Sequence, residues 1–136
     1  MKQTALHVAA QYGKIGIIAL LLQKSAEKEA RDKTNQTPLH LATWYGHKEA
    51  VELLIQHGAC VSARRNENWT PLHYAARNGH KEVAESLILA GANLHAVNDD
   101  NRMPIHIAAS KGNTHLVELL LSKGASQDAV DERNQT

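Results

Sequence analysis

Thr37-Pro38-Leu39-His40-Leu41-Ala42-Thr43-Trp44-Tyr45-Gly46-His47 is the stretch that decides how this chain folds. A threonine before a helix is a strong N-cap, because its hydroxyl accepts from N–H groups that the first turn leaves unpaired. Proline fits the next position, where its missing N–H costs nothing and its φ is already helical. These residues predict a short helix from Pro38 to about Tyr45, stopped near Gly46, which enters the left-handed region without a Cβ penalty. From Lys48 to about His57, apolar residues fall at 50, 51, 53, 54 and 55, a wide stripe for a second helix with one buried face. Gly58 ends that helix, and an extended stretch leads onward.

The same pattern returns along the chain. His7, His40, His73 and His106 are each 33 residues apart, as are Gly13, Gly46, Gly79 and Gly112. Residues 37–69 and 70–102, aligned without a gap, are identical at 16 of 33 positions. A unit of this size cannot bury enough apolar surface alone, so neighbouring units must stack. The expected units are 4–36, 37–69, 70–102 and 103–135 within one domain, with Thr136 opening a truncated fifth. Asn134-Gln135-Thr136 copies Asn35-Gln36-Thr37, which reads as an array cut at a register boundary: a fragment of a longer one, or an engineered scaffold.

Thr37-Pro38-Leu39-His40-Leu41-Ala42, followed by Gly46-His47, Leu53-Leu54 and Gly58-Ala59, closely resembles the ankyrin repeat. Thr70-Pro71-Leu72-His73 with Gly79-His80 and Gly91-Ala92 repeats the signature. Met103-Pro104-Ile105-His106 is a looser copy, and Thr4-Ala5-Leu6-His7 lacks the proline. The resemblance implies an all-α solenoid of stacked helix-turn-helix units with hairpin-like loops projecting to one side. It also implies a non-enzymatic protein-interaction module that works as an intracellular scaffold.

Composition narrows the remaining classes. The 136 residues include no Phe, two Trp and three Tyr, yet 43% are hydrophobic, so the core must be aliphatic. A net charge of +1 argues against a chain built to neutralise phosphates, although Arg64, Arg65, Arg77 and Trp69 are groups that can hold single strands. No apolar run is long enough to span a bilayer, and no secretory leader is visible. The single cysteine, Cys60, cannot form an internal disulfide and suits a reducing cytoplasmic or nuclear compartment. A monomer without cofactor is expected. The repeat histidines and glycines read as framework. Equivalent histidines one unit apart cannot share a zinc ion, so no metal site is expected. Neither Cys60 nor the paired glutamates of the second helices lie in a catalytic motif.

In ankyrin-like stacks, loop tips and the outward side of the first helices line a concave groove. By register, the partner-binding candidates here are Tyr12, Lys33, Gln36, Trp44, Tyr45, Glu67, Trp69, Arg77, Asn78, Asp99, Arg102 and Lys111. Four of the five aromatics fall on the groove side; Tyr74 sits in a mostly apolar column with Val8, Leu41 and Ile107. Trp, Tyr and Arg dominate interface hot spots, so Tyr12, Trp44, Tyr45, Trp69 and Arg77 are expected to anchor a partner. Alanine at Trp44 and Trp69 should abolish binding while leaving melting nearly unchanged. Lys33, Arg64, Arg65 and Arg77 make the middle of the groove basic. Asp99, Asp100, Asp128, Asp131 and Glu132 make the C-terminal loops acidic, a pattern that solvated loop charge explains.

Overall fold

Every helix start in the first-helix series is set by a short local motif. The computed structural model describes residues 2–129, so Asp131, Glu132 and Thr136 lie outside the described residues. The helices are α1 (Ala5–Gln11), α2 (Ile15–Gln23), α3 (Pro38–Trp44), α4 (Lys48–Gln56), α5 (Pro71–Asn78), α6 (Lys81–Leu89), α7 (Pro104–Ser110) and α8 (Thr114–Ser122). A single 3-10 turn at Asn66–Asn68 precedes α5. There is no strand among the described residues. The fold is therefore all-α, four helix pairs in series.

Thr4, Thr37 and Thr70 each accept from the N–H of the histidine three residues on, and that histidine's Nδ1 accepts from the threonine N–H. This reciprocal arrangement is a capping box in which His stands where Glu or Gln usually does. At Met103 the hydroxyl is missing, but His106 Nδ1 still accepts from the Met103 N–H at 2.9 Å. With Nδ1 an acceptor, Nε2 carries the proton, and in two units it reaches the next loop. His7 Nε2 donates to the Gln36 carbonyl and His73 Nε2 to the Arg102 carbonyl, each at 2.9 Å. His7 and His73 thus tie adjacent loops, a concrete form of the framework role expected of the repeat histidines.

The first helices pack in the order α1, α3, α5, α7, and the second helices in the order α2, α4, α6, α8. Between the two rows lies one continuous core of Leu, Ile, Val and Ala, including Leu39, Leu54, Leu72, Leu87 and Leu120. Small residues such as Ala42, Ala75, Ala76 and Ala108, all at 0% exposure, let the first helices approach closely.

Gly46 does more than end a helix. Its φ is +73°, and a Cβ there would lie 2.7 Å from the His80 ring of the next unit. His80 is held in that place by donating Nε2–H to the Trp44 carbonyl at 3.0 Å. The same relation joins Gly13 to His47, whose Nε2 reaches the Gln11 carbonyl at 2.9 Å. The glycine–histidine pairs thus connect units, in addition to breaking helices.

Candidate functional site

Two of the loops before the first helices are each braced by one side chain. Asp32 Oδ1 accepts from the Thr34 N–H, the Thr34 hydroxyl and the Gln36 N–H at 2.8 to 3.0 Å. Burial alone would raise this carboxyl, but those hydrogen bonds outweigh it and hold Asp32 below the ordinary carboxylate value. Asn98 does the same work two loops later, accepting from the Asp100 and Arg102 N–H groups. The equivalent position between them is Arg65, which has no acceptor to offer. That loop instead makes a 3-10 turn with Glu67 and Asn68 at positive φ. It leans on its neighbour: the Glu67 carbonyl accepts from the Asp99 N–H at 2.9 Å, and Asn68 Nδ2 donates to Asp99 Oδ1 at 2.6 Å.

Arg65, released from bracing a loop, turns onto an aromatic cluster. Its Cζ lies 5.5 Å from the centre of the Tyr74 ring. Trp44 meets Tyr74 edge to face at 5.1 Å, and Trp69 stacks on it at 5.5 Å. Arg77 Cζ lies 5.5 Å from the Trp44 ring and 5.8 Å from the Trp69 ring, within range of a cation–π contact to both. Gln36 completes the edge, its Nε2 3.5 Å from the Tyr74 hydroxyl. Tyr74 is 2% exposed, and burial pushes its hydroxyl above the ordinary value.

The structure thus brings together Gln36, Trp44, Trp69 and Arg77 around Tyr74, a residue that register assigned to the apolar column. A signal for it existed: Tyr74 is the one aromatic in the series Val8, Leu41, Tyr74, Ile107, three residues before Arg77. Tyr12 and Tyr45 are exposed at the C-caps of α1 and α3. Tyr45 stacks on His47, and neither tyrosine contacts the tryptophan rings among the described residues. Asn78 is committed to the frame, donating to the Trp44 carbonyl at 2.9 Å. Lys33, Glu67 and Asp99 sit exposed at loop tips and Lys111 at the C-cap of α7. Arg102 lies half-buried at the end of its loop, its N–H held by Asn98 and its carbonyl by His73.

One expectation needs correcting. Both tryptophans are half-buried and Trp69 packs against the core, so truncating them removes packing as well as contact surface. Melting cannot stay nearly unchanged. Arg64 also differs from the simple picture of a basic groove: its guanidinium donates to the Val97 carbonyl at 3.1 Å, as Arg31 does to the Arg64 carbonyl at 2.7 Å.

This chain belongs to the ankyrin repeat family. It matches the family description "Ankyrin repeats (3 copies)" over residues 1–65 and 72–136, and "Ankyrin repeats (many copies)" over residues 45–88. No curated protein matches the chain. Ankyrin repeats are in general protein–protein interaction modules and in general non-catalytic. No helix among the described residues is long and apolar enough to cross a membrane.

Proposed function

We propose that this chain is a single domain of four units, 4–36, 37–69, 70–102 and 103–135, that binds a protein or peptide partner in the groove of its loop tips and first helices. The observation that carries the reading is the Trp44–Tyr74–Trp69 cluster capped by Arg77. It concentrates both tryptophans of the chain at one place. Aromatic and arginine groups that are already ordered lose little freedom on binding, which is what a hot spot requires. The role is non-enzymatic, in a cytoplasmic or nuclear setting, with the domain acting as a monomer.

The test is capture of partners on the immobilised chain, with the Trp44→Ala, Trp69→Ala double variant as comparison. Capture should fall at least tenfold, the loss expected when hot-spot aromatics are truncated. Far-UV circular dichroism should retain its helical signal. Undiminished capture would overturn the groove reading. A second reading, a spacer segment within a longer stack, rests on Val8, Ile17 and Leu20. These side chains are exposed, whereas Leu41, Tyr74 and Ile107, equivalent to Val8, are buried.

A further inference from the structure

Two guanidinium groups lie on the aromatic cluster, and neither forms an ion pair with a carboxylate among the described residues. The ion pairs among the described residues are Lys48–Glu52 and His115–Glu118, and neither involves Arg65 or Arg77. Two acidic side chains of the neighbouring loops are engaged elsewhere, and the exposed Glu67 and Asp100 form an ion pair with neither arginine among the described residues. Asp32 accepts three hydrogen bonds within its own loop, and Asp99 accepts from Asn68. Other arginines of the chain behave differently: Arg31 and Arg64 place their guanidiniums on backbone carbonyls. Arg77 is exposed, and its guanidinium lies over the two indole rings.

That geometry has a chemical consequence. A guanidinium packed on aromatic surface keeps its N–H donors directed outward in its own plane, held in a rigid fork. The acceptor that fits such a fork is a carboxylate, which takes two parallel hydrogen bonds. The rings also hold the fork in position, so less side-chain freedom is lost when the acceptor arrives. A phosphate-bearing strand is the poorer match, because the chain as a whole carries a net charge of only +1.

We infer that Arg77, supported by Trp44 and Trp69, is a clamp for an Asp or Glu side chain in a segment of the partner protein. An apolar side chain beside that acid covers the half-buried indoles. Arg65, with its Nε enclosed and without a hydrogen-bond partner, adds positive potential from beneath. This inference rests on the groove reading above and deepens it by naming what the partner must present.

A random peptide library, displayed with each peptide's C-terminus joined to the coat protein, tests it against the immobilised full chain. Because that attachment blocks the terminal carboxylate, only side-chain acids can answer. Enriched peptides should share Asp or Glu at one fixed position, and selection on the Arg77→Glu variant should replace it with Lys or Arg. A synthetic peptide carrying the selected acid, titrated by tryptophan fluorescence, should bind Arg77→Gln about 10- to 100-fold more weakly, the loss expected for a charge-assisted hydrogen bond. Arg77 is exposed, so that variant should keep its helical signal.

Enriched peptides without a fixed acid, the same acid retained against Arg77→Glu, or no enrichment at all would overturn the clamp. So would displacement of the peptide by a thymidine oligonucleotide with steep salt dependence, which would point to nucleic acid instead. The groove reading keeps its separate test in the tryptophan variants: purely apolar peptides lost on Trp44→Ala would sink the clamp and keep the groove.

Discussion

At the scale of single residues, identical positions in the repeat are unequal in what they cost. Gly58, Gly91 and Gly124 end their helices with φ between +87° and +106°, and the equivalent residue in the first unit is Ser25 at +63°. A side chain in the left-handed region is strained by about 1–2 kcal/mol relative to the right-handed one. Ser25 is exposed and its side chain has no hydrogen-bond role to lose among the described residues. Ser25→Gly should therefore raise stability by about 1 kcal/mol, seen as a higher urea midpoint. An unchanged or lower midpoint would show that the helix end relaxes without strain. Arg65 is the opposite kind of exception: where Asp32 and Asn98 brace a loop, it cannot, and the chain uses it on Tyr74 instead.

At the scale of helices, the capping histidines couple folding to pH. Burial holds His40 and His73 down to about 4, from an ordinary value of 6.5, with nearby Arg31 opposing charge on His40 and Arg64 on His73. A proton on Nδ1 would also displace the threonine N–H that this atom accepts. Between these two values the unfolded chain binds more protons than the folded one, so stability rises with pH and is complete above about 6.5. Lowering the pH from about 7 to about 5 should remove roughly 2 kcal/mol per histidine. A series of urea unfolding curves checks this, and a midpoint that stays flat across that range would show that the imidazoles titrate freely. The threonine cap was legible in Thr-Pro-Leu-His, whereas the histidine there was read only as framework. The depth of burial that sets the titration was not legible, because it depends on the units stacked on either side.

At the scale of the whole molecule, stability is carried by contacts between adjacent units, so the ends are the weak places. The two ends differ. Helix α2 buries Ile18 alone, whereas α4, α6 and α8 each bury three residues. Ile17 is 51% exposed, while its equivalents Ala50, Val83 and Leu116 are at 1% or less. Hydrogen exchange should therefore find the amides of α2 opening first and those of α4 and α6 last. Equal protection of α2 and α4 would contradict a nearest-neighbour account.

The 33-residue period was written in the sequence as repetition, and the caps and helix stops were written there because each depends on residues within a few positions of one another. The groove candidates came from register as well, but register treats every unit alike. What only the tertiary structure decided was which of them meet. Tyr74 draws Trp44, Trp69, Arg65 and Arg77 into one cluster, while Tyr45 stacks on His47, Tyr12 stands exposed and Asn78 bonds to the Trp44 backbone. Those contacts join residues of consecutive units across the stack, and their distances follow from how helix packs on helix, which no local pattern encodes.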